Sequence, residues 1–269
     1  MISLLVAAAV TCSASAFVEK ARAGTDRYRD QAVAIRDGYR RIGRDFPAMG
    51  EHWIRINLVF DGRFDPSRPE VLNYVVVDGT PRLLGIGYAV PLLAGESAPS
   101  GPAGADAWHD HFRTIEDETV LPHHHHGGGS AQDGPRLSMM HAWIWSPNPE
   151  GVFAADNWAL PYLRLGLAPP DNAPLSVAKA LSLATGGRSY FEMSIDAATD
   201  GVSMETDRVK AAFDRAQGAV KALIRQMPGK EVREPEISSL ETIWTEMWLA
   251  IDKALSPAAR QRLVHLPVR

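Results

Sequence analysis

The stretch that decides the fold is LNYVVVDGTPRLLGIGYAV, residues 72–90. Two apolar runs, 72–77 and 83–90, flank the sequence Asp78-Gly79-Thr80-Pro81, and β-branched residues are frequent in the first run. An Asp-Gly pair between apolar runs is typical of a tight hairpin turn. The stretch therefore predicts two antiparallel strands at the centre of the fold.

The residues before this hairpin predict one helix and one more strand. Residues 25–44 carry apolar side chains at helical spacing among many charges, which predicts a helix that Gly43 and Pro47 end. Residues 54–60 have an Ile, Leu or Phe at every second position, the period of a strand. Together with the hairpin, this strand predicts an antiparallel meander.

The residues after the hairpin change from strand to helix patterns. Residues 137–145 are apolar and predict a buried strand, whereas 175–185, 207–227 and a segment that begins with Ser238 have helical spacing. The chain is therefore predicted to be α+β, with an N-terminal helix, a central antiparallel β-sheet and a C-terminal helical segment. We expect an α+β domain over 24–170 and a helical region, 171–269, packed on it.

The N-terminus predicts export. Residues 2–10 are apolar, and Ala14-Ser15-Ala16 and Ala21-Arg22-Ala23 have the A-x-A form of signal-peptidase sites. A leader over 1–23 and a periplasmic or secreted location follow, although no basic residue precedes the apolar run and a buried helix is the alternative. The only cysteine, Cys12, lies in this segment, so a metal site in the mature chain would use His and carboxylate ligands.

Composition narrows the classes of partner. Lys and Arg total 28 against 32 Asp and Glu, so the net charge of -4 gives no general attraction for nucleic acid. No apolar run approaches the ~20 residues of a membrane-spanning helix, so we expect no membrane span. The chain has no phosphate-binding glycine loop and no G-x-S-x-G nucleophile motif.

Histidines at three places predict a metal site. His52 has the parity of the apolar positions in the predicted strand that follows it, so its imidazole points with them. His109 and His111 form an H-x-H pair, which on a strand puts both rings on one face roughly 6–7 Å apart. His141 has apolar neighbours on both sides. Each place also has a simpler interpretation. His52 would be a hydrogen-bonded core histidine, the H-x-H pair would lie in an exposed loop, and His141 would belong to an aromatic core strand.

Other residues would complete such a site. On a strand, Trp143 and Trp145 share a face with His141 and would line a dry cavity for a small molecule. Glu51 or Glu116 could move protons in an enzyme. The run His123–His126 is followed by three glycines and a serine, which favours a solvated loop that binds Zn, Cu or Ni loosely.

Two family resemblances bear on this interpretation. His109-Asp110-His111 with Glu116 resembles the first metal motif of the cupins, but no histidine lies between Pro149 and Asn157 to complete the second motif. Over about residues 38–158 the chain resembles a group of uncharacterised bacterial exported proteins. The shared motifs are Met49-Gly50-x-His52-Trp53 and a block that begins His141-Ala142-Trp143-Ile144-Trp145. This resemblance implies that His52 and His141 form a paired signature, and it implies no named activity.

Three functions remain open at this stage. The first is an exported protein with a mononuclear Zn, Cu or Fe centre at His52, His109 and/or His111, and His141, of which a metal-dependent enzyme is one form. The second is a non-catalytic periplasmic metal carrier. The third is a structural or interaction module without metal, with the late helices as its partner surface.

Overall fold

An N-terminal helical segment, a six-stranded sheet and a set of C-terminal helices follow one another along the chain, which confirms the predicted α+β class. The computed structural model describes residues 14–99, 101–102, 104–111, 135–199 and 206–264. The strands are β1 (Arg40–Phe46), β2 (Gly50–Ile54), β3 (Val71–Val77), β4 (Thr80–Leu92), β5 (Trp108–His111) and β6 (Arg136–Ala142). The helices are α1 (Ala14–Thr25), α2 (Gln31–Arg36), α3 (Ile56–Val59), α4 (Leu160–Leu165), α5 (Leu175–Ser182), α6 (Arg188–Thr199), α7 (Thr206–Gln226), α8 (Glu234–Ala254) and α9 (Pro257–Val264).

The predicted hairpin forms the middle of the sheet. The strand order is β1-β2-β3-β4-β6-β5, and every neighbouring pair is antiparallel. Asp78 and Gly79 join β3 to β4 with φ of 50° and 74°, as a tight hairpin turn requires. The sequence therefore predicted this turn for the correct physical reason.

The helix predicted over 25–44 is wrong in extent. A 3-10 turn over Asp26–Arg29 is followed by α2, which stops because Gly38 takes a φ of 99°. Strand β1 begins two residues later. Gly43, read from the sequence as a helix stop, instead has a φ of 62° at the irregularity in the register of β1 with β2.

The strand predicted over 54–60 is also wrong. Strand β2 ends at Ile54, and the next residues turn into the short helix α3. The side chains of Ile56 and Phe60 are 50% and 70% exposed, so two of the alternating apolar residues do not face a core. The alternation of apolar residues therefore corresponds to a strand with a buried face only as far as Ile54, which is buried.

The two faces of the sheet are covered differently. One face packs against α1 and the turn that follows it, through a cluster that includes Phe17, Leu72, Tyr88 and Met140. Part of the other face, including Val75, belongs to the same apolar cluster as the C-terminal helices. The helical region predicted over 171–269 thus shares a core with the sheet.

Helix α1 bears on the predicted leader boundary at residue 23. Within α1, Phe17 and Ala21 are 1% and 0% exposed, and the Arg22 Nε–H donates to the Ile144 carbonyl oxygen at 2.9 Å. A chain cut after Ala23 would lose these contacts, whereas a cut after Ala16 would leave them in place.

The long C-terminal helices agree with their sequence patterns. Helix α7 matches the prediction over 207–227 closely, and α8 starts four residues before the predicted cap at Ser238. At its start the Arg233 backbone N–H donates to Glu236 Oε2 at 3.0 Å, so the helix is capped upstream of the serine pair. No described helix combines the length and the apolar character needed to cross a membrane.

Candidate metal centre

Three of the four predicted metal ligands lie together on one face of the sheet. His52 is the middle residue of β2, His141 lies near the end of β6, and His109 lies on β5 opposite Met139. His52 and His141 are 3% and 1% exposed, and His109 is partly buried. We call His52, His141 and His109 the histidine row.

The rings of the histidine row are in contact. The ring centroids of His52 and His141 are 5.6 Å apart with the planes at 87°, so one ring meets the other edge-on. The centroids of His141 and His109 are 5.4 Å apart with the planes nearly parallel, at 11°. His141 is therefore the central ring, and the row crosses the sheet from β2 to β5.

Of the two strands between them, β3 and β4, the second explains how His52 and His141 meet. They lie three strand spacings apart, about 14 Å of backbone at ~4.8 Å per spacing. Strand β4 offers Gly85 and Gly87 on this face, where Gly87 is the register partner of His141. Because neither glycine has a side chain, the two imidazoles can lean toward each other over β4.

The row is a polar band between two apolar regions of the same face. Toward one end of the strands lies a cluster that includes Ile54, Val71 and Met139, and toward the other lies the cluster shared with the C-terminal helices. Phe46 closes the β2 side, with its ring centroid 5.7 Å from that of His52. These apolar surroundings keep the imidazoles out of bulk solvent.

Asn73 is a site residue that the sequence did not reveal. It is the register partner of both His52 and Gly85, and it is fully buried. Its Nδ2–H donates to the Met49 carbonyl oxygen at 3.3 Å, while its Oδ1 has no hydrogen-bond partner within the described part of the chain. An amide oxygen beside His52 is a possible further donor to a cation or an acceptor for an imidazole N–H. Only its register position between the two histidines identifies it.

The two tryptophans do not share a face, so the predicted common cavity wall is wrong for Trp145. The indole of Trp143 stacks on His141, with centroids 5.7 Å apart and planes at 14°. Strand β6 ends at Ala142, and Trp145 turns to the α1 side, where its Nε1–H donates to Thr25 Oγ1 at 3.2 Å. Only Trp143 can therefore line a site at the histidine row.

Of the two carboxylates predicted to move protons, Glu51 does not lie at the row. Glu51 alternates with His52 along β2, so it lies on the opposite face, where it pairs with Arg41 at 2.7 Å. His111 pairs with Leu137 in the backbone register of β5, and nothing is described of its side chain. Glu116 and His123–His126 lie outside the described residues.

The three rings of the histidine row pack against one another and are not arranged around a common point as metal ligands are. Among the described residues, no group of three or more His, Cys, Asp or Glu side chains has a ligand arrangement around a common point. Two imidazoles that bind one zinc ion through bonds of 2.0–2.1 Å have centroids roughly 5 Å apart, close to the separations seen here.

Gly85 provides a stability test of this packing. A Cβ on Gly85 would lie 2.9 Å from Trp143 Cε3 and 3.0 Å from the Ala142 carbonyl oxygen. We expect Gly85→Ala to lower the free energy of unfolding by about 1–3 kcal/mol, because Trp143 must shift from its place against His141. Urea unfolding followed by circular dichroism measures the effect.

The matched control for this prediction is Gly218→Ala. Gly218 is exposed in the middle of α7, and a Cβ there would meet nothing within 4 Å. This change should instead raise the free energy of unfolding by about 0.5–1 kcal/mol. If Gly85→Ala is as stable as the unchanged chain, the close contact of Trp143 with β4 is wrong.

The described residues thus define an α+β protein whose sheet carries a row of three imidazoles on one face. Comparisons of the chain with protein-family models, with curated proteins and with solved structures find no match. The resemblance to bacterial exported proteins stays a prediction.

Proposed function

We propose that this protein binds a divalent transition metal ion, Zn, Cu or Fe, through His52, His109 and His141. The observation that carries the proposal is the contact of three imidazoles from strands far apart in the sequence. Imidazole is a good ligand for each of these metals, and three such ligands leave a coordination position open. A small molecule bound there would face Trp143.

Burial supports a bound cation rather than a set of solvated side chains. An imidazole removed from water must have a hydrogen-bonded or metal-bound nitrogen to offset the loss of solvation. His52 and His141 are both almost fully buried and side by side.

Export belongs to the same proposal. The apolar segment 2–10 and the first A-x-A site support a periplasmic or secreted protein whose mature chain begins close to Phe17. Such a chain contains no cysteine, so its transition-metal ligands come from His and from oxygen donors. A metal carrier and a metal-dependent enzyme both fit this description.

Metal content tests the proposal directly. The full chain is stripped with chelator, reloaded separately with Zn²⁺, Cu²⁺ and Fe²⁺, desalted and analysed by plasma mass spectrometry. We expect about one tightly held ion per chain, and its loss in His52→Gln and in His141→Gln, because each removes a central ligand. The nitrogen hyperfine pattern of the Cu²⁺-loaded chain in electron paramagnetic resonance should lose imidazole contributions in the same variants.

The matched control replaces His123–His126 with serines. This variant should keep the ion and the increase in melting temperature that the ion produces by binding the folded state. Circular dichroism confirms that each variant is folded before it is loaded. Metal that persists in both glutamine variants but disappears in the serine variant would place binding in the loop and reduce the histidine row to core packing.

A further inference from the structure

A cavity on the α1 side of the sheet, opposite the histidine row, is rich in arginine. It has a volume of about 490 Å³ and lies between the turn after α1 and the loop that precedes β3. Pockets of about 300–1,000 Å³ are typical of small-molecule sites. Its lining includes Arg27, Arg36, Arg55 and Arg68 but only one carboxylate, Asp37. We call this the arginine cavity.

The charges of the arginine cavity are only partly compensated. Asp37 forms an ion pair with Arg27 and also accepts a hydrogen bond from the Tyr28 hydroxyl at 2.9 Å. Arg68 lies 3.7 Å from Asp61, outside the lining. Across the residues that the structure describes, Arg36 and Arg55 form no ion pair, and the Arg55 Nε–H donates to the Asn57 side-chain oxygen at 3.3 Å. Two guanidinium groups therefore remain without an anion in a cavity of a chain whose net charge is -4.

The wall of the cavity is held in place before any ligand arrives. The Tyr39 hydroxyl donates to the Pro69 carbonyl oxygen at 2.5 Å, and the Tyr88 hydroxyl donates to the Pro66 carbonyl oxygen at 2.7 Å. These bonds fix both ends of the loop that carries Arg68. A preformed wall lowers the entropy lost on binding, so a small ligand can be held by few contacts.

We infer that the arginine cavity binds a small molecule that carries a phosphate or carboxylate group. The planar guanidinium fork matches an oxyanion with two parallel hydrogen bonds, and Arg36 and Arg55 are the two groups available for it. The negative net charge of the chain favours a small anion over a nucleic acid. This inference does not depend on the metal proposal, because the two sites share no residue.

Calorimetric titration of the full chain with inorganic phosphate, and separately with citrate, tests the inference. We expect at least one of the two to bind with a stoichiometry of about one and with an affinity that falls as salt is added. The double variant Arg36→Gln/Arg55→Gln should weaken that binding at least about tenfold, since both unpaired guanidinium groups are lost. Comparison of phosphate with citrate shows which oxyanion chemistry the cavity accepts.

Two further variants distinguish binding in the arginine cavity from non-specific attraction of anions to positive charge on the surface. Arg82→Gln removes one positive charge from the exposed surface near the β3–β4 hairpin and should leave the affinity unchanged. Arg36→Lys/Arg55→Lys keeps both charges but removes the forked geometry, and it should bind more weakly than the unchanged chain. The inference is overturned if neither anion binds, or if the glutamine pair and Arg82→Gln lose affinity equally in folded protein.

Discussion

Replacement of Glu70 by Gln is expected to remove a large part of the pH dependence of stability between pH 5 and 8. Glu70 is 2% exposed, and burial raises the pKa of its carboxyl group to about 8 from an ordinary 4.5. The backbone N–H groups of Glu70 and Ala89 oppose this shift and do not cancel it. In the folded chain the group therefore stays protonated over a pH range in which the unfolded chain has already lost that proton.

The sign of the effect follows from proton binding. Between pH 4.5 and 8 the folded state holds a proton that the unfolded state has released, so stability falls as the pH rises. Near pH 8 the loss amounts to about 4 kcal/mol, at 1.36 kcal/mol per pH unit. Because Gln is neutral throughout, Glu70→Gln should match the unchanged chain near pH 5 and exceed its stability near pH 8.

Urea unfolding of both proteins at a series of pH values measures this difference. Glu246→Gln is the control, because Glu246 is exposed on α8 and its replacement should leave the pH profile unchanged. Parallel profiles for Glu70→Gln and the unchanged chain from pH 5 to 8 would show that Glu70 is ionised in the folded state.

Replacement of Phe17 by Ala should produce the largest loss of stability in the N-terminal helix. The Phe17 ring centroid lies 5.5 Å from that of Tyr88 and 5.6 Å from that of Phe153, and the side chain is 1% exposed. Truncation of a buried Phe costs about 3–5 kcal/mol through lost burial and the cavity left behind. The midpoint of urea unfolding should fall accordingly, with the slope unchanged.

The conservative change Phe17→Leu keeps most of the buried volume and should cost less than about 1.5 kcal/mol. The pair of variants also tests the leader boundary, because a mature protein that begins at residue 24 has no Phe17 to lose. Equal stability of the Ala variant and the unchanged chain, both isolated after export, would falsify the placement of α1 in the mature core.

Local patterns predicted those elements whose signal does not depend on distant residues. The Asp78-Gly79 turn and the runs on either side of it suffice to define a hairpin, and both strands are where they were expected. The pattern over 54–60 misled because Ile56 and Phe60 are apolar but exposed, and a single sequence does not distinguish these two cases. Gly38 stops α2, whereas the sequence pattern predicted the stop at Gly43 and Pro47, because the spacing of apolar residues does not show which glycine takes a positive φ.

The candidate site was predictable in part for the same reason. Strand parity put His52 on the face of Ile54, and the structure has both residues in β2. That His109 pairs with Met139 in the register is a finding of the structure. Strand order was not readable, so neither Asn73 nor the glycines of β4 stood out as neighbours of the histidines. Trp145 was misassigned because the strand parity was extended past Ala142, where the ladder ends.

The attachment of α1 to residues 144 and 145 has a consequence for how the chain is made. Arg22 bonds to Ile144, 122 positions away, and Trp145 bonds to Thr25, 120 positions away. At a translation speed of about 5–20 residues per second, these partners leave the ribosome roughly 6–24 s after the helix. The first described helix thus waits for its partners until the sheet has been synthesised, and its apolar side stays accessible to nascent-chain factors until then.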